Sequence, residues 1–188
     1  MALKYLHVNE RHYKKQLLVS NQQVKTLKNF LTGLIRNEVL IINTNLGLEI
    51  YYEADYDCTP IIKDAIAIVV CKKCDANDLF RFISFQNEKE IQHFMDDSIA
   101  QVSEMPLFQN YTKSMLHQLK TQFESNKQLI GKLSDIWFEV TRNLRFKNVS
   151  IEKIKEFQDD FQSIYISKVE NDVLKGLILE ALDRTHVN

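Results

Sequence analysis

Glycine and proline are almost missing from this chain: 188 residues contain four Gly and two Pro. Tight-turned, loop-rich β folds need both residues, so the scarcity favours long uninterrupted helices. Cysteine is sparse too. Three Cys is an odd number that no closed disulfide framework uses, and Met1-Ala2-Leu3-Lys4-Tyr5-Leu6-His7 has no basic segment leading into an apolar one. Both features point to a reduced, intracellular protein. The longest apolar runs, such as Val39 to Ile42 and Ala65 to Cys71, fall far short of the roughly 20 residues that cross a bilayer, so no membrane span is expected. Net charge is also lacking. With Lys+Arg 24 against Asp+Glu 25 the formal charge is -1, which gives no bulk attraction for phosphate backbones or anionic lipid. No Gly-rich phosphate loop is present, and His7, His12, His93, His117 and His186 stand apart from any Ser or Cys nucleophile motif.

A hydrophobic share of 45% beside 26% charged residues is enough to build a sizeable core. The chain reads as one domain, 1–188, with helix plus sheet over 1–86 and a helical region over 87–188. Its strongest β signal is Asp64 to Cys74. Ile66, Ile68 and Val70 would lie on one face and Ala65, Ala67, Val69 and Cys71 on the other, which predicts a central strand covered on both sides.

Before that stretch, from about Asn9 to Arg36, Tyr13, Leu17, Val24, Leu27, Leu31 and Leu34 recur at steps of three and four, with Ser20 as the one polar member. This predicts an N-terminal helix with a heptad-like stripe that Phe30 and Ile35 widen. Val39 to Ile42 and Leu48 to Tyr52 predict a hairpin turning at Asn45 and Gly47, which tolerate positive φ. Leu79 to Phe85 supplies another strand, and four strands in antiparallel order are the simplest arrangement. Beyond Asn87 the period becomes helical, with Asn87 as N-cap and Glu90 as its capping partner. Phe108, Tyr111, Met115, Leu119, Phe123, Leu129, Leu133, Trp137, Val140 and Leu144 then keep helical spacing for nearly forty residues. Two shorter amphipathic stretches follow, one capped by Ser150 and one starting near Ser167.

Residues that could carry chemistry are few. Cys71-Lys72-Lys73-Cys74 is a C-x-x-C, half of a zinc site that Cys58 and His93 would complete. No glycine follows Cys74 to shape a metal knuckle and no second C-x-x-C exists, so the plainer expectation is no cofactor, with Cys71 as a small apolar strand residue. A redox role needs that motif to open a helix, and the residues after it look like a strand. Glu49, Glu53, Asp55 and Asp57 near Lys72 and Lys73 faintly suggest a metal-dependent nuclease, but the strand offers no carboxylate beside its lysines and a solvated acidic loop is the better account. Tyr51, Tyr52, Phe80 and Phe82 could stack bases if the sheet were bare; helices are expected to cover it.

The expected fold is therefore α+β: an N-terminal helix, a four-stranded antiparallel meander, then an extended helical C-terminal half. That order of elements resembles RWD-type domains of adaptor and chromosome-associated proteins. The Tyr-Pro motif of many such domains is missing, and the long helical half has no counterpart in them. Abundant amphipathic helix without convergent reactive groups implies a non-catalytic protein-interaction protein: an adaptor, complex subunit or inhibitor in a homo- or hetero-oligomer. Its expected contact residues are Tyr13, Leu17, Val24, Leu27 and Leu31 on the first helix and Phe108, Tyr111 and Trp137 beyond the sheet. The alternatives are a nucleic-acid-associated protein using sheet aromatics and a local basic patch, or a small zinc-stabilised domain through Cys71 and Cys74.

Overall fold

The computed structural model of the chain describes residues 1–10, 19–71, 76–145, 152–168, 173, 175–177 and 180. The α+β class expected from the sequence holds: a four-stranded antiparallel sheet carries helices on both faces. Strands β1 (Ala2–Glu10), β2 (Val39–Thr44), β3 (Gly47–Ala54) and β4 (Phe80–Phe85) lie in the order β2-β3-β1-β4. Helix α1 (Asn21–Ile35) connects β1 to β2. Helix α2 (Thr59–Ile66), continued by a π-helical turn at Ala67–Cys71 and the short α3 (Ala76–Leu79), connects β3 to β4. This β-α-β-β-α-β order with β1 between β3 and β4 is the split βαβ, ferredoxin-like arrangement. It differs from the expected meander, and with it from the element order of RWD-type domains, because the first element is a strand and that strand sits inside the sheet.

Alternation along the strands sorts the side chains into two cores. Leu6, Val8, Ile41, Leu48, Ile50 and Tyr52 pack under α1 and α2. Leu3, Tyr5, Leu40, Ile42 and Tyr51 face the C-terminal helices: α4 (Glu88–Val102), α5 (Leu107–Gln122), α6 (Lys127–Arg145) and α7 (Glu152–Ser167). The C-terminal half thus completes a second layer on the face that a bare split βαβ unit leaves open.

Local chemistry sets the element ends. Ser20, expected inside the first helix, is instead its N-cap: its hydroxyl accepts from the Gln23 N–H at 3.3 Å, and the Gln23 side chain accepts from the Ser20 N–H at 3.0 Å. Arg36 ends α1 in the left-handed region, φ 57. The hairpin is where the sequence suggests, but its turn residues are Asn45 and Leu46, with Asn45 outside the positive-φ region, and Gly47 opens β3 with φ 142. A Cβ there would lie 2.4 Å from Asn9 Oδ1 and 2.7 Å from the Val8 carbonyl oxygen, so only glycine fits. At α4, Asn87 is the N-cap, but the Glu90 carboxylate accepts from the Gln86 N–H rather than from Asn87.

Three expectations fail. Asp64 to Cys71 is helical rather than the central strand, and Ile68 is 69% exposed. An unbroken short apolar run fits a buried strand and a partly buried helix equally, and periodicity alone cannot separate them. The N-terminal helix begins at Asn21, since Asn9 and Glu10 belong to β1. Lys4, His7 and Asn9 hid that strand, because they are polar residues in positions that folding buries or half-buries. Finally, the long helix after Leu107 is broken by a 3-10 turn at Phe123–Ser125 and by Asn126, whose side chain donates to the Gln122 carbonyl. Gly131 lies inside α6 and does not break it.

Leu27 is fully buried at the centre of the α1 layer. Its replacement, Leu27→Ala, is expected to cost about 2–5 kcal/mol of stability in a denaturant titration. A loss under about 0.5 kcal/mol, in the range of surface substitutions, would show that α1 does not pack on the sheet as described.

Candidate functional site

Two strands bring together a polar cluster that neither encodes alone. β1 and β3 pair so that Tyr5 lies opposite Tyr51 and His7 opposite Glu49. With period-2 alternation all four side chains share the face turned toward the C-terminal helices. The Tyr5 and Tyr51 rings stack with centroids 4.6 Å apart. The Tyr51 hydroxyl donates to Glu49 Oε2 at 2.6 Å, and the Tyr5 hydroxyl is hydrogen-bonded to His7 Nδ1 at 2.8 Å. Tyr111, from α5, adds a second hydroxyl to the Glu49 carboxyl.

This cluster is dry. Glu49 is 3% exposed and His7 8% exposed. Burial raises Glu49 from the ordinary 4.5 to about 7, against the lowering effect of the Tyr51 and Tyr111 hydrogen bonds. Burial likewise lowers His7 from 6.5 to about 4. Tyr5, Tyr51 and Tyr111 are all pushed well above their usual value, chiefly by burial and then by the nearby Glu49. Between about pH 4 and about pH 7 both Glu49 and His7 are therefore neutral.

A cavity of about 270 Å³ opens above the cluster. His7, Glu49 and Tyr111 form its floor, and Phe94, Met95 and Ser98 of α4 form its wall. Asn9, Leu46 and Gln101, each partly or fully exposed, stand at its mouth. Asn9 Oδ1 is close enough to the His7 ring to favour its protonation slightly, yet no donor reaches that buried oxygen in hydrogen-bond geometry.

The sheet edges form the second feature. At the β2 edge, the Gln118 amide donates to the Asn43 carbonyl at 2.8 Å and accepts from the Asn43 N–H at 2.9 Å. Gln122 donates to the Ile41 carbonyl at 2.7 Å. These α5 side chains stand where a neighbouring strand would pair. β4 lies at the opposite edge, and among the described residues no strand pairs with its outer side.

The contact residues expected from the sequence are placed elsewhere. Leu27, Leu31, Phe108, Tyr111 and Trp137 are all buried within the chain, at 4% exposure or less. Val24 is half-buried against the α1 core, and Tyr13 and Leu17 lie outside the described residues. Amphipathic periodicity marks the face that becomes buried without saying against what. On α1 the exposed apolar side chains are Phe30 and Leu34.

Cys71 is buried in the π-helical turn, and Cys74 lies outside the described residues. His93 is exposed on α4, and among the described residues no three His, Cys, Asp or Glu side chains gather around one metal position. The acidic group divides: Glu49 and Glu53 are buried, with Lys132 of α6 paired to Glu53, while Asp55 and Asp57 are exposed. Tyr51, Tyr52 and Phe80 are buried, so none of them is a platform for bases. No helix among the described residues is long and apolar enough to cross a membrane. The Glu49 cluster was missed because Tyr5-Leu6-His7 and Glu49-Ile50-Tyr51 lie over forty positions apart; the period-2 polar spacing in each was the available signal.

The two buried groups link stability to pH with opposite signs. Glu49 holds its proton more tightly when folded, so its contribution falls as pH rises from about 4.5 to about 7. His7 holds its proton less tightly when folded, so its contribution rises with pH from about 4 to about 6.5. In the native protein the two slopes offset each other. Glu49→Gln is expected to leave a stability that climbs with pH across that interval, and His7→Phe one that declines, each by on the order of 1 kcal/mol per pH unit. Urea midpoints measured between about pH 4.5 and about pH 6.5 test this; slopes of the same sign in both variants would contradict it.

Comparison with known proteins gives no match: no family model, no curated protein and no solved structure is similar to this chain.

Proposed function

We propose that this chain is a non-catalytic protein-interaction protein of the cell interior, an adaptor, complex subunit or inhibitor, whose partner adds an extended segment to the outer edge of β4. The observation that supports this reading is the difference between the two sheet edges. Gln118 and Gln122 occupy backbone groups on the free edge of β2, whereas among the described residues no strand pairs with the outer side of β4. An open strand edge offers a row of donors and acceptors, and adding a strand to it is a common mode of peptide recognition.

The side chains of β4 suit that role. Arg81 and Ser84 are exposed, and Phe82 is half-buried with the Lys63 ammonium 5.0 Å from its ring centre. Backbone pairing would supply affinity, and contacts with the Phe82 and Arg81 side chains would supply selectivity. Helical surface contributes through Phe30 and Leu34 rather than through the buried stripe that the sequence suggested.

The test is cross-link mapping on complexes purified from the native cell, followed by edge-blocking substitutions. Partner cross-links should cluster on residues 80–85, and Ser84→Pro should lower the yield of complex by at least about tenfold while Gln22→Ala on α1 leaves it unchanged. Cross-links concentrated away from β4, or a complex indifferent to the proline in a folded variant, would overturn the assignment.

A further inference from the structure

The cavity over the His7–Glu49 rung plays no part in pairing at the β4 edge, and its chemistry is distinct. Its floor carries a carboxyl group that a core of this kind does not need. A Gln or a Leu at position 49 would fill the same space without the cost of burying an ionisable group. Two hydroxyls reach Glu49, from Tyr51 and Tyr111, whereas a carboxylate accepts at about four lone-pair positions. Asn9 also lines the space, and its buried Oδ1 receives no hydrogen bond.

Donors are in short supply on the protein side. The Tyr51 and Tyr111 hydroxyls are committed to Glu49, and the Tyr5 hydroxyl to His7. Among the described residues neither Lys nor Arg lines the cavity. Apart from Ser98 and Gln101, its remaining walls are mostly aromatic or aliphatic, with the Tyr5 and Phe94 rings 5.8 Å apart and the Phe94 ring 5.5 Å from the imidazole. Unfilled acceptors, ring faces and one carboxyl without a cation describe half of an ammonium site. An anion would meet Glu49 with no compensating charge, and an uncharged apolar ligand would leave Asn9 and Glu49 unsatisfied.

We propose that this cavity binds a small organic monocation, a primary or methylated ammonium, with Glu49 as its counter-ion and the rings of Tyr5, Phe94 and Tyr111 as its walls. The ammonium supplies a positive charge that none of the described lining residues provides, so an ionised Glu49 and the bound cation stabilise each other. Binding is therefore tied to release of the Glu49 proton. The titratable groups facing that carboxyl are His7 and Tyr5 from β1, Tyr51 from β3 and Tyr111 from α5; α4 contributes no charged side chain to the lining. His7 has already lost its proton above about pH 4, and the tyrosines keep theirs, so Glu49 alone changes charge near neutrality.

The test is calorimetric titration of the full chain with n-butylammonium chloride, tetramethylammonium chloride, n-butanol and sodium butyrate. One of the two ammonium probes should saturate a single site, at least about tenfold more tightly than butanol, with butyrate not binding. Its affinity should rise at least about threefold from about pH 5.5 to about pH 8 as Glu49 ionises. Glu49→Gln should weaken it by at least about tenfold, and Phe94→Leu, at the half-exposed wall, by about threefold or more. Equal binding of butanol, a flat pH profile, unchanged binding in folded Glu49→Gln, or no saturable ammonium binding would each overturn the proposal. Should Glu49→Gln fail to fold, the probe comparison and the pH profile on the native chain decide the question alone.

Discussion

β1 is hydrogen-bonded on both sides, to β3 from Ala2 to Val8 and to β4 from Tyr5 to Glu10, and the rest of the molecule is arranged around that double pairing. A strand paired on both edges has its backbone groups satisfied, so it can be buried on both faces without leaving polar groups stranded. Both faces are in fact covered. Leu6 and Val8 lie under α1 and α2, while Leu3 and Tyr5 lie under the C-terminal helices. The split connection follows from the same pairing. Once β1 occupies the interior of the sheet, α1 must carry the chain across β3's position to β2, and α2 must carry it back past β1 to β4.

Register on β1 also builds the polar cluster. A shift of one residue would turn Tyr5 and His7 toward α1 and place Leu6 and Val8 against α4, exchanging the contents of the two cores. The observed register sets His7 against Glu49 and Tyr5 against Tyr51. Burial then does what solvent would not allow: it keeps a carboxylic acid and an imidazole uncharged side by side, since separate charges in that layer would lose hydration that two tyrosine hydroxyls only partly replace. Gly47 fixes the neighbouring turn close to Val8 and Asn9, so the mouth of the cavity and the hairpin share one steric condition.

The two ends of the sheet are treated differently by the same C-terminal half. α5 lies along β2 and sends Gln118 and Gln122 into its free edge, and a primary amide both donates and accepts as a backbone does. β4 receives no such cover from the described helices. α6 and α7 close the distant part of the core, where Phe157 meets Trp137 edge-on with ring centroids 4.6 Å apart. The helical half is thus structural where it meets β2 and β3, and its described residues leave one edge open at β4.

Much of the architecture was legible in the residues. Few glycines and prolines meant helix, alternation at Leu48-Glu49-Ile50-Tyr51-Tyr52 meant strand, Asn45 to Gly47 meant a turn, and Asn87 meant a helix start; these signals are local, so the sequence by itself determined them. The amphipathic residues Leu27, Leu31, Phe108 and Trp137 were recognisable as one-sided faces, but whether such a face meets the chain's own sheet or another protein depends on what folds over it. Asp64 to Cys71 was undecided locally because an all-apolar run has no period to read. The cluster of Tyr5, His7, Glu49, Tyr51 and Tyr111, the order β2-β3-β1-β4 and the amide-capped β2 edge were settled by tertiary structure alone. Each depends on contacts between residues more than forty positions apart, and only strand register and helix docking bring them within hydrogen-bonding distance.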